Sequence, residues 1–185
     1  VGDVATQLEN RNLITDARVF RYGAKILKLE NKLKAGEYEI RAGASMRDIL
    51  ASLSSGKSVL HSLTIPEGLT VMQILTRIGE NEVLTGDMPA DVPPEGSLLA
   101  DTQRFSRGTT RAEIVQKLMN DQKKLVDEIW ARRQPNLPIK DINEFVTLAS
   151  IVEKETGKAD ERPRVAGVFI NRLNKGMRLQ SDPTI

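Results

Sequence analysis

The strongest constraint on the fold is a helical pattern of apolar residues in the last third of the chain, bounded by a start signal and a stop signal. Asp141 followed by Glu144 has the spacing of an N-terminal capping box, and Gly157 stands where a helix is expected to end. Between them, large aliphatic side chains recur at the spacing of about 3.6 residues that a helix requires, at Leu148, Ile151 and Val152. The pattern therefore predicts a helix over residues 141–156 with one face packed on a neighbour.

The end of this helix carries two glutamates on different faces. At about 100° per residue, Glu155 falls on the face of the aliphatic residues, whereas Glu153 points nearly the opposite way. A carboxylate held against apolar surface has its charged form disfavoured, so its pKa rises and it can act as a general acid near neutral pH. The alternative is that Glu155 is an exposed residue at the helix end, where glutamates usually lie.

A second helix is predicted to follow, from a cap at Asp160 to an end at residues 174–176, with Pro163 in its first turn. Asn171 lies near the last turn of that helix. The helix is followed by a polar stretch that contains Gln180, Ser181 and Asp182. Taken alone, this stretch is typical of an ordinary polar loop.

Together these segments resemble the endolytic murein transglycosylase family (MltG/YceG-like). The family signature is a helix reading A-S-I-[IV]-E-K-E-T, a helix reading E-R-x-x-V-A-x-V-F-x-N-R-L, and a segment reading G-M-x-L-Q-[ST]-D-P-T. The chain has these sequences in residues 149–156, 161–173 and 176–184. The resemblance implies that Glu155, the second glutamate of the E-K-E triplet, is the catalytic residue.

The resemblance also implies a reaction. Lytic transglycosylases cleave the bond between N-acetylmuramic acid and N-acetylglucosamine in nascent peptidoglycan strands without using water. Glu155 would protonate the glycosidic oxygen, and its carboxylate would then accept the proton of the muramic acid C6 hydroxyl, which closes a 1,6-anhydro ring. One carboxyl group serves both steps, whereas most glycoside hydrolases use two. The residues expected to line the cleft, or else to hold the loop against the helix, are Asn171, Gln180, Ser181 and Asp182.

The family carries one N-terminal membrane anchor and a longer catalytic domain, so we expect this chain to be a soluble fragment of such a protein, without the anchor and without the rest of the catalytic domain. The expected location is the bacterial inner membrane, with a single-pass anchor and with this part on the periplasmic face. Expected partners are peptidoglycan glycan strands and cell-wall synthesis enzymes.

Two other functions remain open from the residues. One is a hydrolase (muramidase) of the same polymer, with Asp182 or Glu153 as the second carboxylate beside Glu155. The other is a non-catalytic scaffold that binds the cell wall, in which Glu155 is only a helix-end residue. Product chemistry separates the hydrolase from the transglycosylase, because only a transglycosylase leaves 1,6-anhydro ends.

Composition excludes several other classes of function. The formal net charge is +2, without a dense basic cluster, which argues against nucleic-acid binding. The chain has no cysteine and one histidine, so it has no disulfide or thiol chemistry and does not suit a zinc site. A glycine-rich phosphate-binding loop is also absent from the sequence. We therefore expect no cofactor and no metal.

The first half of the chain contains an internal repeat. Residues 40–50 align with residues 65–75, and each copy predicts a strand, a glycine turn and a helix capped by Ser45 or Thr70. The first copy resembles a LysM module, a small fold that binds N-acetylglucosamine polymers. A plain βα scaffold element is the alternative, because aromatic residues make up only 4% of the chain and leave few rings for sugar stacking.

The predicted fold class is α+β, with small LysM-like βα modules followed by a mainly helical, truncated catalytic domain. Residues 1–79 would form the LysM-like wall-binding region, 80–110 a connector rich in proline and glycine, and 111–185 the N-terminal part of the catalytic domain. Glu95 and Asp101 in the connector are candidates either for cleft carboxylates or for turn and cap residues.

Overall fold

The computed structural model describes residues 1–34 and 36–181, and within them the chain has seven helices and one pair of strands. The α+β class is therefore confirmed. None of the described helices combines the length and the apolar character that crossing a lipid bilayer requires. In chain order the elements are α1 (Gly2–Asn10), α2 (Ala17–Ile26), α3 (Met46–Ser55), β1 (Leu60–Thr64), α4 (Val71–Gly79), β2 (Thr102–Ser106), α5 (Arg111–Ala131), α6 (Ile142–Glu155) and α7 (Arg162–Asn174).

The chain divides into two compact units, the first made of residues 1–61 and 104–108. Helices α1, α2 and α3 pack together in this unit around one apolar cluster. Asp16 caps α2, with its carboxylate accepting hydrogen bonds from the backbone N–H groups of Arg18 and Val19. The buried members of the cluster are Ala5, Leu8, Phe20, Ala24, Ile49, Leu50 and Leu53.

The second unit comprises residues 62–103 and the chain from residue 109 onwards. Helix α5 contacts both α4 and α6, and α6 in turn packs against α7. Glu95 fixes the start of α4, because its two carboxylate oxygens lie 3.1 and 3.0 Å from the backbone nitrogen of Val71. Glu95 therefore caps α4, which is one of the two roles predicted for it.

The two strands pair with each other and run antiparallel. The hydroxyls of Thr64 and Thr102 lie 3.0 Å apart, and the Ile65 N–H donates to the Asp101 carbonyl at 3.1 Å. Residue 64 is thus opposite residue 102 and residue 65 opposite residue 101, which is the pattern of antiparallel strands. The Asp101 carboxylate accepts a hydrogen bond from the next backbone N–H, at 2.6 Å. Asp101 is therefore a local turn residue.

The helices of the internal repeat form as predicted, but neither copy, residues 40–50 or residues 65–75, contains a strand. Ser45 and Thr70 each begin a helix with a complete capping box, closed by Asp48 in the first copy and Gln73 in the second. Strand β1 (Leu60–Thr64) ends at the residue before the second copy and pairs with β2. Residues 36–44 form no strand. The Val59 N–H donates a hydrogen bond to the Glu37 carbonyl, but this bond alone does not make a strand ladder.

The predicted boundaries at residues 79 and 110 stay a prediction, because compact units need not coincide with functional regions. The LysM-like character of residues 1–79 also stays a prediction. The structure does describe Tyr38, one of the few rings available for stacking on a sugar. Its hydroxyl donates to the Lys34 carbonyl at 3.0 Å, and its ring packs against the apolar cluster of the first unit.

Candidate active site

Helix α6 begins as predicted and ends at Glu155, one residue before the predicted end and two residues before Gly157. The Asp141 carboxylate accepts a hydrogen bond from the Glu144 N–H at 2.9 Å. The capping box is only half formed, since the Glu144 carboxylate accepts from the Lys140 N–H instead of from Asp141. Thr156 is already extended, with φ −150° and ψ 127°, so Glu155 is the last helical residue.

The three charged residues at the end of α6 have three different environments. Glu153 forms an ion pair with Arg162, the first residue of α7, at 2.9 Å. The stem of Lys154 passes close to Gly68, where an added Cβ would lie 3.3 Å from the lysine Cε. The side chain of Glu155 is exposed, and among the described residues it has no ion pair or hydrogen bond. Of the two glutamates, only Glu155 is left unpaired.

The turn between α6 and α7 is held by a compact polar network. Thr156 is buried, with 8% of its surface exposed, and its hydroxyl donates to the Glu161 carboxylate at 2.9 Å. The same hydroxyl accepts from the Lys158 N–H at 3.1 Å, and the Lys158 ammonium lies 3.2 Å from Glu161. Together with the pair at residues 153 and 162, this network forms what we call the α6–α7 corner, residues 153–162.

Glu155 does not lie against the aliphatic face of α6. That face is buried by α7, which contributes Phe169 to the same cluster. Because Glu155 is the last residue of the helix and the backbone turns away at Thr156, its side chain points to solvent. The structure therefore corresponds to the second alternative left open by the sequence, an exposed carboxylate at the helix end. The buried members of this face are Leu148, Ile151 and Val152.

The start of α7 differs from the prediction. Its N-cap is Glu161, not Asp160, and no side chain caps it. Glu161 cannot cap its own helix because its carboxylate is already engaged by Thr156 and Lys158. Asp160 is exposed in the turn. Pro163 does lie in the first turn of α7, as predicted.

The polar residues beyond the corner lie in different environments. Asn171 is exposed on α7, and Gln180 is exposed with a positive φ of 49°. Ser181 is buried, with 6% of its surface exposed. Asp182 lies outside the described residues. The tail before it folds back on α7, since the Arg172 guanidinium donates to the Leu179 carbonyl.

Asn171 is not brought next to Glu155. It lies nine residues further along α7 than Arg162, which corresponds to about 13 Å along a helix axis. Arg162 is the α7 residue at the corner, close to the end of α6. The corner itself was not foreseen. The signal for it was in the sequence, because Thr156, Glu161 and Arg162 all belong to the matched motifs.

The whole chain, residues 1–185, matches the model of a family described as YceG-like. Two curated relatives, both named endolytic murein transglycosylase, also match along its full length. The protein of Streptococcus pneumoniae serotype 2 (strain D39 / NCTC 7466) is 30% identical over 227 residues, and that of Bacillus subtilis (strain 168) is 26% identical over 215 residues.

The chain spans 40% of the length of the Streptococcus relative and 59% of the length of the Bacillus relative. A crystal structure of a yceG-like protein from Listeria monocytogenes is 27% identical in sequence and superposes with a TM-score of 0.48. That match covers 99% of this chain and 70% of the Listeria chain.

Proposed function

Because the chain belongs to the YceG-like family, we propose that it is part of a lytic transglycosylase that cleaves peptidoglycan strands internally, with Glu155 as the catalytic acid and base. The observation that carries this proposal is the family match along the whole chain, which includes the E-K-E triplet that ends at Glu155. The Glu155 carboxylate is exposed and unpaired among the described residues, so a substrate can reach it. Its backbone is held by the α6–α7 corner. A carboxyl group that is fixed in place but not neutralised by a cation is free to give and to take a proton.

The reaction needs one such group. In the first step the protonated Glu155 gives its proton to the glycosidic oxygen between N-acetylmuramic acid and N-acetylglucosamine, and the bond to C1 of the muramic acid breaks. In the second step the Glu155 carboxylate takes the proton of the muramic acid C6 hydroxyl while that oxygen bonds to C1. The product is a 1,6-anhydro sugar, Glu155 is protonated again, and no water is consumed.

The environment of Glu153 supports this one-carboxylate route over a two-carboxylate hydrolase. A hydrolase needs a second carboxylate, as nucleophile or as the base that activates water. Glu153 is held by Arg162 at 2.9 Å, and its side chain is 26% exposed. The arginine occupies an oxygen of this carboxylate that a nucleophile or a base would need. Asp182, the other candidate for that role, lies outside the described residues.

The polar residues of α7 and of the tail would bind sugar units away from the bond that is cut. Asn171 and Gln180 are exposed, and Asn171 is about 13 Å along α7 from the corner. A glycan strand spans several sugars, so both side chains would contact units next to the cleaved pair. Ser181 is buried and would act by supporting the tail. Asp182 would contact the sugar.

The first unit would help to retain the polymer if its LysM-like repeat binds N-acetylglucosamine. The packing of Tyr38 against the unit's own core favours the scaffold alternative for that ring. We further propose that the protein acts at the periplasmic face of the inner membrane, beside the cell-wall synthesis enzymes that supply nascent strands. The substrate supports this location, because nascent glycan is made there.

The test uses the full-length protein with uncrosslinked glycan strands. Products of the wild type are compared by mass spectrometry with those of Glu155→Gln. Asp160→Asn is the matched control, because it also neutralises an exposed carboxylate in the corner. We expect internal cuts with 1,6-anhydro ends in the wild type and in Asp160→Asn, and a loss of about 10²–10⁴-fold in Glu155→Gln.

Two results would contradict the proposal. Reducing ends that carry an added water would indicate a hydrolase with a second carboxylate. No cleavage by a folded wild-type protein that still sediments with glycan strands would indicate a wall-binding scaffold instead.

A further inference from the structure

Helix α2 is packed tightly on one side only. Phe20 and Ala24 are fully buried in the cluster of the first unit. Gly23 lies so close to α3 that an added Cβ would be 2.7 Å from the Cε of Met46. Ala17 also packs against this cluster, and its N–H donates to the Glu9 carboxylate of α1 at 3.0 Å. The remaining faces of the helix are open to solvent.

The open side carries a second apolar stripe. The side chains of Val19, Tyr22 and Ile26 are 56%, 70% and 79% exposed. Their spacing of three and four residues places them in one row along the helix. Leu27, the C-cap residue, is 43% exposed and adds apolar surface at the end of the helix, beside the row. Large apolar residues are often exposed singly, but a row of them on one short helix indicates a contact surface.

Cations flank this stripe. Arg21, Lys25 and Lys28 are exposed, and none of them has an ion pair among the described residues. Arg18 is also exposed and pairs with Asp16 at 3.1 Å. Glu30 is the carboxylate that shares a groove with Arg18, Arg21, Tyr22 and Lys25. The basic residues of the helix therefore outnumber the acidic residues beside it.

We propose that this surface of α2, the stripe of Val19, Tyr22, Ile26 and Leu27 with its flanking cations, rests on an anionic lipid bilayer. A helix with aliphatic side chains on one face and arginine or lysine beside them lies in the plane of the bilayer surface. The aliphatic side chains enter the boundary of the acyl region of the lipids. The tyrosine ring lies at the headgroup level, where its hydroxyl remains hydrated.

The charges beside the stripe favour an anionic bilayer over a second copy of the chain as the partner of this surface. A two-fold dimer through the stripe would bring the same cations of both copies together, and like charges repel. An anionic headgroup layer instead offers a phosphate to each of them. Arginine and lysine stems are long enough to lie along apolar surface while their charged ends reach the phosphates.

The proposal is independent of Glu155, and binding to vesicles tests it. The 185-residue chain is sedimented with vesicles of phosphatidylcholine alone and with vesicles that also contain phosphatidylglycerol. We expect binding to the anionic vesicles only, decreasing with added salt. Each cation near such a surface contributes about fivefold to partitioning, so Arg21→Glu with Lys25→Glu should weaken binding by about 25-fold or more.

Two matched controls separate the surface from general charge and hydrophobicity. Lys124→Glu with Lys175→Glu reverses two exposed cations of the second unit, and Met72→Ser with Val168→Ser removes two exposed apolar side chains there. Both should bind like the wild type. All variants change exposed residues, so their circular dichroism spectra should match that of the wild type.

A site-specific probe tests insertion directly. The chain has no cysteine, so Ile26→Cys takes a single environment-sensitive fluorophore, with Met72→Cys as the control position. The emission at residue 26 should shift to the blue with anionic vesicles, and the emission at residue 72 should not. Failure of the wild type to bind anionic vesicles, or binding with no shift at residue 26, overturns the proposal. The first result would leave the stripe as a docking surface for an acidic protein.

Discussion

The α6–α7 corner shows how much of the proposed chemistry depends on single side chains. Glu153 and Glu155 are two residues apart in the sequence, yet one is neutralised by Arg162 and the other is unpaired. A helical wheel assigned them to different faces but could not assign their partners, because those partners come from the turn and from α7. The identity of Glu155 as the candidate acid came from the motif.

Thr156 is predicted to position Glu155. Thr156→Val keeps the shape of the side chain but removes the hydroxyl that bonds to Glu161 and to the Lys158 N–H. The end of α6 would then be less firmly held. Because a misplacement of about 1 Å can lower a rate by about 100-fold, we expect kcat to fall by about 10- to 100-fold while KM changes little. Steady-state kinetics on defined glycan strands measures both quantities.

Thr156→Ser is the control for this prediction, since it retains the hydroxyl and should keep kcat within about threefold of the wild type at a modest cost in packing. A kcat for Thr156→Val equal to that of Thr156→Ser would mean that the hydroxyl network has no positioning role.

Glu37 makes the first unit sensitive to acid. Hydrogen bonds from His61 at 2.8 Å and from Arg107 at 2.9 Å hold the pKa of the Glu37 carboxyl below its ordinary value. A carboxyl group whose pKa is lower in the folded state stabilises that state above its unfolded pKa, and the stabilisation is lost as pH falls through the folded pKa. The loss should therefore begin near the ordinary value of 4.5 and continue below it.

The measurement is the urea midpoint of unfolding as a function of pH. Glu37→Gln should show a smaller decrease below pH 4.5 than the wild type does. Glu39→Gln removes an exposed carboxylate two residues away and should leave the decrease unchanged. Equal slopes for the wild type and Glu37→Gln would show that the His61 and Arg107 contacts do not persist in solution.

At the scale of elements, local signals determined where helices begin more reliably than where strands form. Ser45, Thr70 and Asp141 were identified as caps from spacing alone, and each accepts the expected backbone hydrogen bond. The donor and acceptor of such a bond are three residues apart, so the local sequence is enough to predict it. A strand needs a partner from elsewhere in the chain. The sequence repeat therefore predicted a strand in each of its copies, residues 40–50 and 65–75, where the described residues hold none.

Gly96 is predicted to set the approach of the loop of residues 94–97 to α6. Its φ is +76°, and an added Cβ would lie 2.7 Å from the Cγ1 of Val146. Gly86 has a similar φ of +71°, but its nearest contact would be 3.7 Å. Gly86→Ala should therefore cost only the left-handed strain of about 1–2 kcal/mol. Gly96→Ala should cost roughly 1–3 kcal/mol more, from the clash.

Chemical denaturation of both variants checks the difference. In a double-mutant cycle, Val146→Ala should recover much of the additional loss in Gly96→Ala, because it removes the clashing methyl group. No recovery would show that the loop moves away from α6 instead of compressing it.

For the whole molecule, the two compact units have apolar clusters that draw on separate parts of the chain. The buried cluster of the first unit lies within residues 5–53, and that of α6 and α7 within residues 148–169. Sequence patterns predicted α3 in the first unit and both α6 and α7 in the second. It could not locate the unit boundary, because residues 104–108 return to the first unit from far along the chain.

Core truncations should act within their own unit. Leu50 is fully buried, and Leu50→Ala should cost about 2–5 kcal/mol. We expect amide hydrogen exchange to accelerate in α2 and α3 and to stay unchanged in α6 and α7. Leu148→Ala is the reciprocal variant and should show the opposite pattern. Faster exchange in all helices for either variant would mean that the two units unfold together.

The α6–α7 corner also has a consequence for how the protein folds. Glu153 and Arg162, and likewise Thr156 and Glu161, are fewer than ten residues apart along the chain. Contacts between residues so near in sequence cost little loop-closure entropy and form early. The polar contacts that shape the corner beside Glu155 are thus local, so different flanking domains could be joined to this hairpin during evolution without redesigning the corner.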